Sequence, residues 1–301
     1  MPASSFPRSI RSFLERSFAL AARALWWLEG PPHASIQSVV PDSFLISLVV
    51  LLGAMLGSFL NVVIYRVPCG ESIVHPRSHC PGCGHILAAW ENIPVLSWVL
   101  LRARCRGCGN AISPRYPIVE ILCGLLAWAL YRRFGPTPEF LGFAIFSYLL
   151  VALTYIDLDH QLLPDRLTLP GLGVGLLAAP LIHRAQPLPA FGDAALGALV
   201  GGGILYLVAW SYEKATGREG MGGGDIKFLA MIGAFLGWQG VLLTLFLGSI
   251  VGSVIGVATM VARREDTKLA LPFGPFLAIG ALVTLFQGDA ILAWYLGTMR
   301  L

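Results

Sequence analysis

The stretch EGMGGGDIKFLAMIGAFLGW, residues 219–238, sets one carboxylate, Asp225, directly after the glycines Gly222 to Gly224 and ahead of the apolar run Phe228 to Trp238. Glycine lets one backbone approach another closely. An ionisable residue at the mouth of a membrane segment is expensive enough to imply a function. Asp225 is therefore a candidate catalytic carboxylate, with Gly222, Gly224 and Lys227 as its supporting loop. An ordinary interhelical turn in which Asp225 caps the following helix accounts for the same residues.

Outward from this stretch the chain stays apolar. Of 301 residues, 56% are hydrophobic and 13% charged, and the mean hydropathy is +0.72; a soluble domain carries about 25% charged residues. Segments long enough to cross the hydrocarbon, about 20 residues each, recur from Phe44 onward. They are expected at 44–65, 117–131, 139–156, 167–182, 193–211, 226–238, 239–262 and 271–297. The expected fold is an all-α polytopic membrane protein of about eight transmembrane helices with a small cytoplasmic zinc-ribbon-like insert. Its parts are a leader, 1–42, a first transmembrane helix, 43–65, the insert, 66–116, and a membrane domain, 117–301. Arginines interleaved with Phe13, Leu14, Trp26 and Trp27 suit the leader to a helix lying in the membrane interface.

Threading these spans puts thirteen Lys and Arg on the face that carries the insert and the 157–166, 212–227 and 263–268 loops, against four on the other face. The positive-inside rule makes the first face cytoplasmic. The leader, with four arginines on the opposite side, is an exception to that rule. The net charge of +4 is modest and spread over loops, so no nucleic-acid surface is expected.

A second acidic cluster, YIDLDHQLLPD at 155–165, closes the 139–156 span on the same face as Asp225. Asp157 adjoins the bilayer most directly, whereas Asp159 and Asp165 suit a solvated loop. Two carboxylates sharing a site cannot both ionise cheaply. One would serve as base toward water while the other, protonated, polarises a carbonyl. There is no Ser–His arrangement and no HExxH metal box to compete as a hydrolytic centre.

In the insert, CPGCG at 80–84 and CRGCG at 105–109 form two CxxC knuckles. Cys80, Cys83, Cys105 and Cys108 have the spacing of a closed structural zinc site. A pair of disulfides is the alternative, disfavoured on a reducing cytoplasmic face. Cys69 and Cys123 fall outside this spacing.

These residues together resemble the type IV prepilin peptidases, the GxGD aspartyl proteases of bacterial membranes. The resemblance runs from about Gly57 to Ala278 through GSFLNVVIYRVP (57–68), SIVHPRSHCPGC (72–83), ENIPVLSW (91–98), ISPRYPIVE (112–120), IDLDHQLLPD (156–165), MGGGDIKFLA (221–230) and LPFGPFLA (271–278). It implies that Asp157 and Asp225 are the catalytic pair. It also implies that the substrates are type IV prepilins and type II secretion pseudopilins, cut at the cytoplasmic boundary of the bacterial inner membrane. The tetracysteine insert resembles that of the bifunctional enzymes, which methylate the new N-terminus from S-adenosylmethionine. No Rossmann fingerprint locates the methyl donor; the insert, with Glu71, Arg77, Glu91 and Asn92, is its expected home. Competing readings are a protease for other signal peptides, a transporter using Asp157 and Asp225 as ion sites, and a scaffold whose zinc knuckles bind a partner.

Overall fold

Helix follows helix because apolar runs of membrane-spanning length must satisfy their backbone groups internally. The computed structural model describes residues 41–182, 186–218, 221–263 and 272–299. Almost all of the expected leader, and its interfacial helix, lie outside the described residues. The long helices are α1 (Asp42–Arg66), α3 (Arg115–Phe134), α4 (Pro138–His160), α5 (Asp165–Ile182), α6 (Pro187–Thr216), α7 (Gly223–Arg263) and α8 (Gly274–Met299). The insert between α1 and α3 holds a 3₁₀ turn, Ala89–Asn92, and a short helix α2, Leu96–Leu100. Among the described residues there is no β-strand, only isolated bridges of His79 with Ile86 and Arg104 with Ala111.

Local chemistry sets the helix ends. Thr137 accepts a hydrogen bond from the Phe140 N–H, and Pro138 fills the first position of α4, where its missing N–H costs nothing. The helix stops where Gln161 turns left-handed. Asp157 is thereby held in the last turn of α4.

By length and composition six helices among the described residues can cross a membrane, and the chain is a multi-pass membrane protein. The eight expected segments differ from this count in two places. The 117–131 segment lies in α3, which carries Glu120, Arg132 and Arg133 and is too charged to be counted. The segments 226–238 and 239–262 are both in α7, which is interrupted at Gly237, φ 70° and ψ 178°. A side-chain carbon at Gly201 would lie 2.6 Å from the Leu229 carbonyl oxygen and 2.9 Å from Val241 Cγ2. Continuous helix would hold those two residues about 18 Å apart. The two halves of α7 therefore fold back on each other at Gly237, where a left-handed φ suits glycine.

Between membrane helices there is little hydrophobic driving force, so small residues and close packing hold the bundle. Gly197 of α6 and Gly233 of α7 meet backbone to backbone, each leaving no room for a side chain on the other. Helix α4 is the most enclosed: 61% of its most apolar window is buried, against 17% for α1. Its Phe146, Leu150, Leu153 and Ile156 pack in two adjoining cores, one with α7 and α8, the other with α1 and α3. Around this centre, Leu177, Leu188, Leu199 and Val254 face outward, as lipid requires.

Candidate active site and metal centre

Asp157 ends the buried face of α4 and is only 5% exposed. Its Oδ2 accepts a hydrogen bond of 2.9 Å from the Gly274 N–H at the start of α8. Asp225 is in the first turn of α7, with its N–H directed to the Gly222 carbonyl at 3.3 Å. The two carboxyls are close enough for the charge of Asp157 to act on Asp225. The structure thus brings together the two acids singled out in the sequence.

Two further contacts dock the start of α7 on the α4–α5 connection. A side-chain carbon at Gly224 would lie 3.0 Å from Leu163 Cβ, so glycine allows this close approach. Lys227 Nζ lies 2.7 Å from both carboxylate oxygens of Asp165. Lys227 is thus paired within the chain. Gly222 faces open space, so only Gly224 is required by packing. Asp159 pairs with Arg115, whose guanidinium also lies 4.7 Å over the Tyr155 ring. Asp159 and Asp165 are therefore ion-paired, not merely solvated. The Arg115 contact also sets the end of the insert beside the aspartates.

The LPFGP block, within the LPFGPFLA stretch (271–278) of the resemblance, contributes Gly274 to the pair. A side-chain carbon there would lie 2.6 Å from Asp157 Oδ2. Its sequence signals were its place in the resemblance and two prolines flanking one glycine at a span entrance. Glu120 was also missed, although an acid inside the 117–131 span was itself a signal.

In the insert the two knuckles are built alike. Cys80 N–H donates to the His85 carbonyl and Gly84 N–H to the Cys80 carbonyl; Cys105 with Asn110 and Gly109 with Cys105 repeat this pattern. The four sulphurs lie within 4.8 Å of one another and could hold a metal ion. The Cys80–Cys108 and Cys83–Cys105 separations are both 3.9 Å. The edge of a tetrahedron with Zn–S bonds of about 2.3 Å is about 3.8 Å, so the set fits zinc. Backbone N–H groups of Gly82 and Cys83 hold the Cys80 thiol down at about 7, while desolvation and the neighbouring thiols push Cys83 up, so these thiols titrate as one set. Glu91 braces the first knuckle: it accepts the Ala88 N–H at 2.7 Å and faces His85 Nε2 at 3.2 Å. These contacts, the Ala88 N–H first, hold its carboxyl below the usual range.

A family described as "Bacterial Peptidase A24 N-terminal domain" matches residues 51–134, and "Type IV leader peptidase family" matches 144–257. The chain is 43% identical over 278 residues to the prepilin leader peptidase/N-methyltransferase of Aeromonas salmonicida, spanning 84% of this chain and 94% of that relative. A protein of the same name from Myxococcus xanthus is 48% identical over 243 residues, 78% of this chain and 71% of the relative. The one from Pseudomonas aeruginosa is 39% identical over 270 residues, 82% and 92% respectively. No solved structure matches the chain.

Proposed function

The chain belongs to the type IV leader peptidase family, and on that premise we propose that it cuts the leader from type IV prepilins or pseudopilins and then N-methylates the new terminus. The observation that carries the peptidase reading is the meeting of Asp157 and Asp225 at one end of the bundle. One carboxylate takes a proton from water as it attacks the scissile carbonyl; the other donates a hydrogen bond to the carbonyl oxygen and then a proton to the leaving amine. The Gly274 N–H fixes the orientation of the Asp157 carboxylate.

The site is assigned to the cytoplasmic boundary of the inner membrane. Support comes from the thirteen-to-four bias of Lys and Arg and from the Arg115–Asp159 contact that joins the insert to the aspartate end. A prepilin helix already in the bilayer would present its leader junction there. S-Adenosylmethionine is the methyl donor this reading requires. The test is purified chain in liposomes with a prepilin, with and without S-adenosylmethionine. Mass spectrometry should find the leader lost in both samples and one methyl gained only with the donor. An intact prepilin in both would overturn the peptidase reading.

Gly224→Val should reach the membrane and fold, yet lose about 10²-fold in cleavage, the scale set by misplacing reacting groups by about 1 Å. Valine would push Leu163 and the start of α7 apart, shifting Asp225 from Asp157. Cleavage at the wild-type rate by a folded variant would exclude this role.

Cys80, Cys83, Cys105 and Cys108 are assigned to a structural zinc, which closes the two knuckles and performs no chemistry. Metal analysis of purified protein should find roughly one zinc per chain, as a four-thiolate site takes. Joint Cys80→Ser and Cys105→Ser substitution should remove it and unfold the insert, because metal binding supplies its folding free energy. Retained zinc would refute the assignment.

A further inference from the structure

A cavity of about 660 Å³ lies between α1, the start of α3 and the insert, lined in part by Asn61, Arg66, Glu91, Trp98 and Glu120. We propose that this cavity is the site of the methyl donor, with Arg66 as the cation that takes the donor's carboxylate. The proposal rests on the methyltransferase reading above and gives it a place.

Four polar or charged residues lining the cavity are buried: Asn61 6% exposed, Arg66 5%, Glu91 5% and Glu120 7%. Burying such groups is costly unless they are bonded or used. Glu91 is held by Ala88 and His85. Glu120 accepts the Val95 N–H at 2.7 Å, and Asn61 donates to the Tyr116 carbonyl at 3.2 Å. Arg66 is different. Among the described residues its guanidinium makes one hydrogen bond, to the Ser72 carbonyl at 3.0 Å, and has no carboxylate partner. A guanidinium has five donors in a fork matched to a carboxylate.

The rest of the lining suits the remainder of S-adenosylmethionine. Its ammonium and sulfonium are cations, for which Glu91, its carboxyl held below the usual range, provides negative charge. Trp98, its indole N–H tied to the Ile112 carbonyl at 3.1 Å, gives a fixed aromatic surface for adenine. Outside the lining itself but bonded to it, Val95 holds a left-handed φ of 61°, an outlier for a β-branched residue, and its N–H is anchored by the buried Glu120. Such strain persists where surroundings impose it, and it concentrates at ligand sites. The volume is within the roughly 300–1,000 Å³ of small-molecule pockets.

A second cavity of about 560 Å³ shares Ser58, Val62, Arg66 and Asn92 with the first and continues along Leu51, Met55 and Phe59 of α1. It gives an apolar new N-terminus an approach along the helix to the shared wall. There the free-base amine, its proton already lost to water, attacks the sulfonium methyl. The N–C bond forms from the amine lone pair and the S–C bond breaks with its pair left on sulphur. S-Adenosylhomocysteine and a methylated ammonium result.

Isothermal titration of the full chain in nanodiscs with S-adenosylmethionine, and separately with S-adenosylhomocysteine, tests the site without relying on turnover. Arg66→Gln should weaken binding about tenfold or more, as loss of a charge-assisted pair does. Ser97→Trp, which projects into the same cavity, should abolish it, with thermal midpoint and bound zinc as in wild type. Wild-type affinity in both variants overturns the cavity assignment while leaving the methyltransferase reading in place. Failure of the wild-type chain to bind either compound overturns both.

Discussion

Asp157→Asn and Asp225→Asn should each lower leader cleavage by about 10³-fold or more, within or beyond the 10²–10⁴-fold typical of one acid–base group. Asparagine keeps the volume and planar shape of aspartate. The last turn of α4, the bond from Gly274 to the remaining oxygen, and the first turn of α7 should therefore persist. What is lost is a group that can take or give a proton. Because both carboxylates serve one event, the double variant should be little worse than either single one, as residues acting as a unit are strongly non-additive. The measurement is the initial rate of leader release from a labelled prepilin in liposomes, with the thermal midpoint of each variant as the check on folding. Undiminished cleavage in either folded variant would leave that carboxylate as a structural or ionic feature. The scaffold reading predicts such silence, since it gives the aspartates no chemistry.

Much of this arrangement was legible because it depends on local pattern. The Gly237 break falls beside the expected boundary between the 226–238 and 239–262 segments, where a glycine interrupts an apolar run too long for one span. The four cysteines cluster as their spacing implies, since two CxxC turns leave their thiolates little freedom. Asp157 and Asp225 converge because each ends or starts a helix on the same face. Contacts made between distant segments were not legible. Gly274 reaches Asp157 across three intervening helices in the chain order, and nothing local to LPFGP names its partner. Lys227 reads only as part of the loop supporting Asp225, and only the docking of α7 on α5 reveals Asp165 as its partner. Of the four insert residues expected at the donor site, Glu91 and Asn92 line the larger cavity and Arg77 lines the smaller. Glu71 lines neither. Arg66 and Glu120 were hidden for another reason: Arg66 reads as the first residue of the polar insert and Glu120 as part of a membrane span, and only the packing of the insert over α1 and α3 encloses them.

Gly274→Ala should reduce cleavage by about 10²-fold, between wild type and the aspartate variants, because a misplaced group still retains its chemistry. An alanine methyl would lie 2.6 Å from Asp157 Oδ2 and 3.2 Å from its Cγ, inside van der Waals contact. Either the carboxylate rotates away or the start of α8 withdraws. Both break the 2.9 Å bond that orients Asp157. The N–H itself survives in alanine, so the effect isolates position from hydrogen-bonding capacity. The loss should fall on kcat, with KM for prepilin changed only a few-fold, because an interaction needed in the transition state is disturbed while substrate binding is not. Gly297→Ala, at the far end of the same helix with open space around it, separates this effect from a general intolerance of α8 to side chains. If Gly274→Ala and Gly297→Ala cleave alike at the wild-type rate, the bond to Asp157 plays no part in positioning. If Gly274→Ala alone fails while its thermal midpoint holds, the start of α8 is a working part of the aspartyl site.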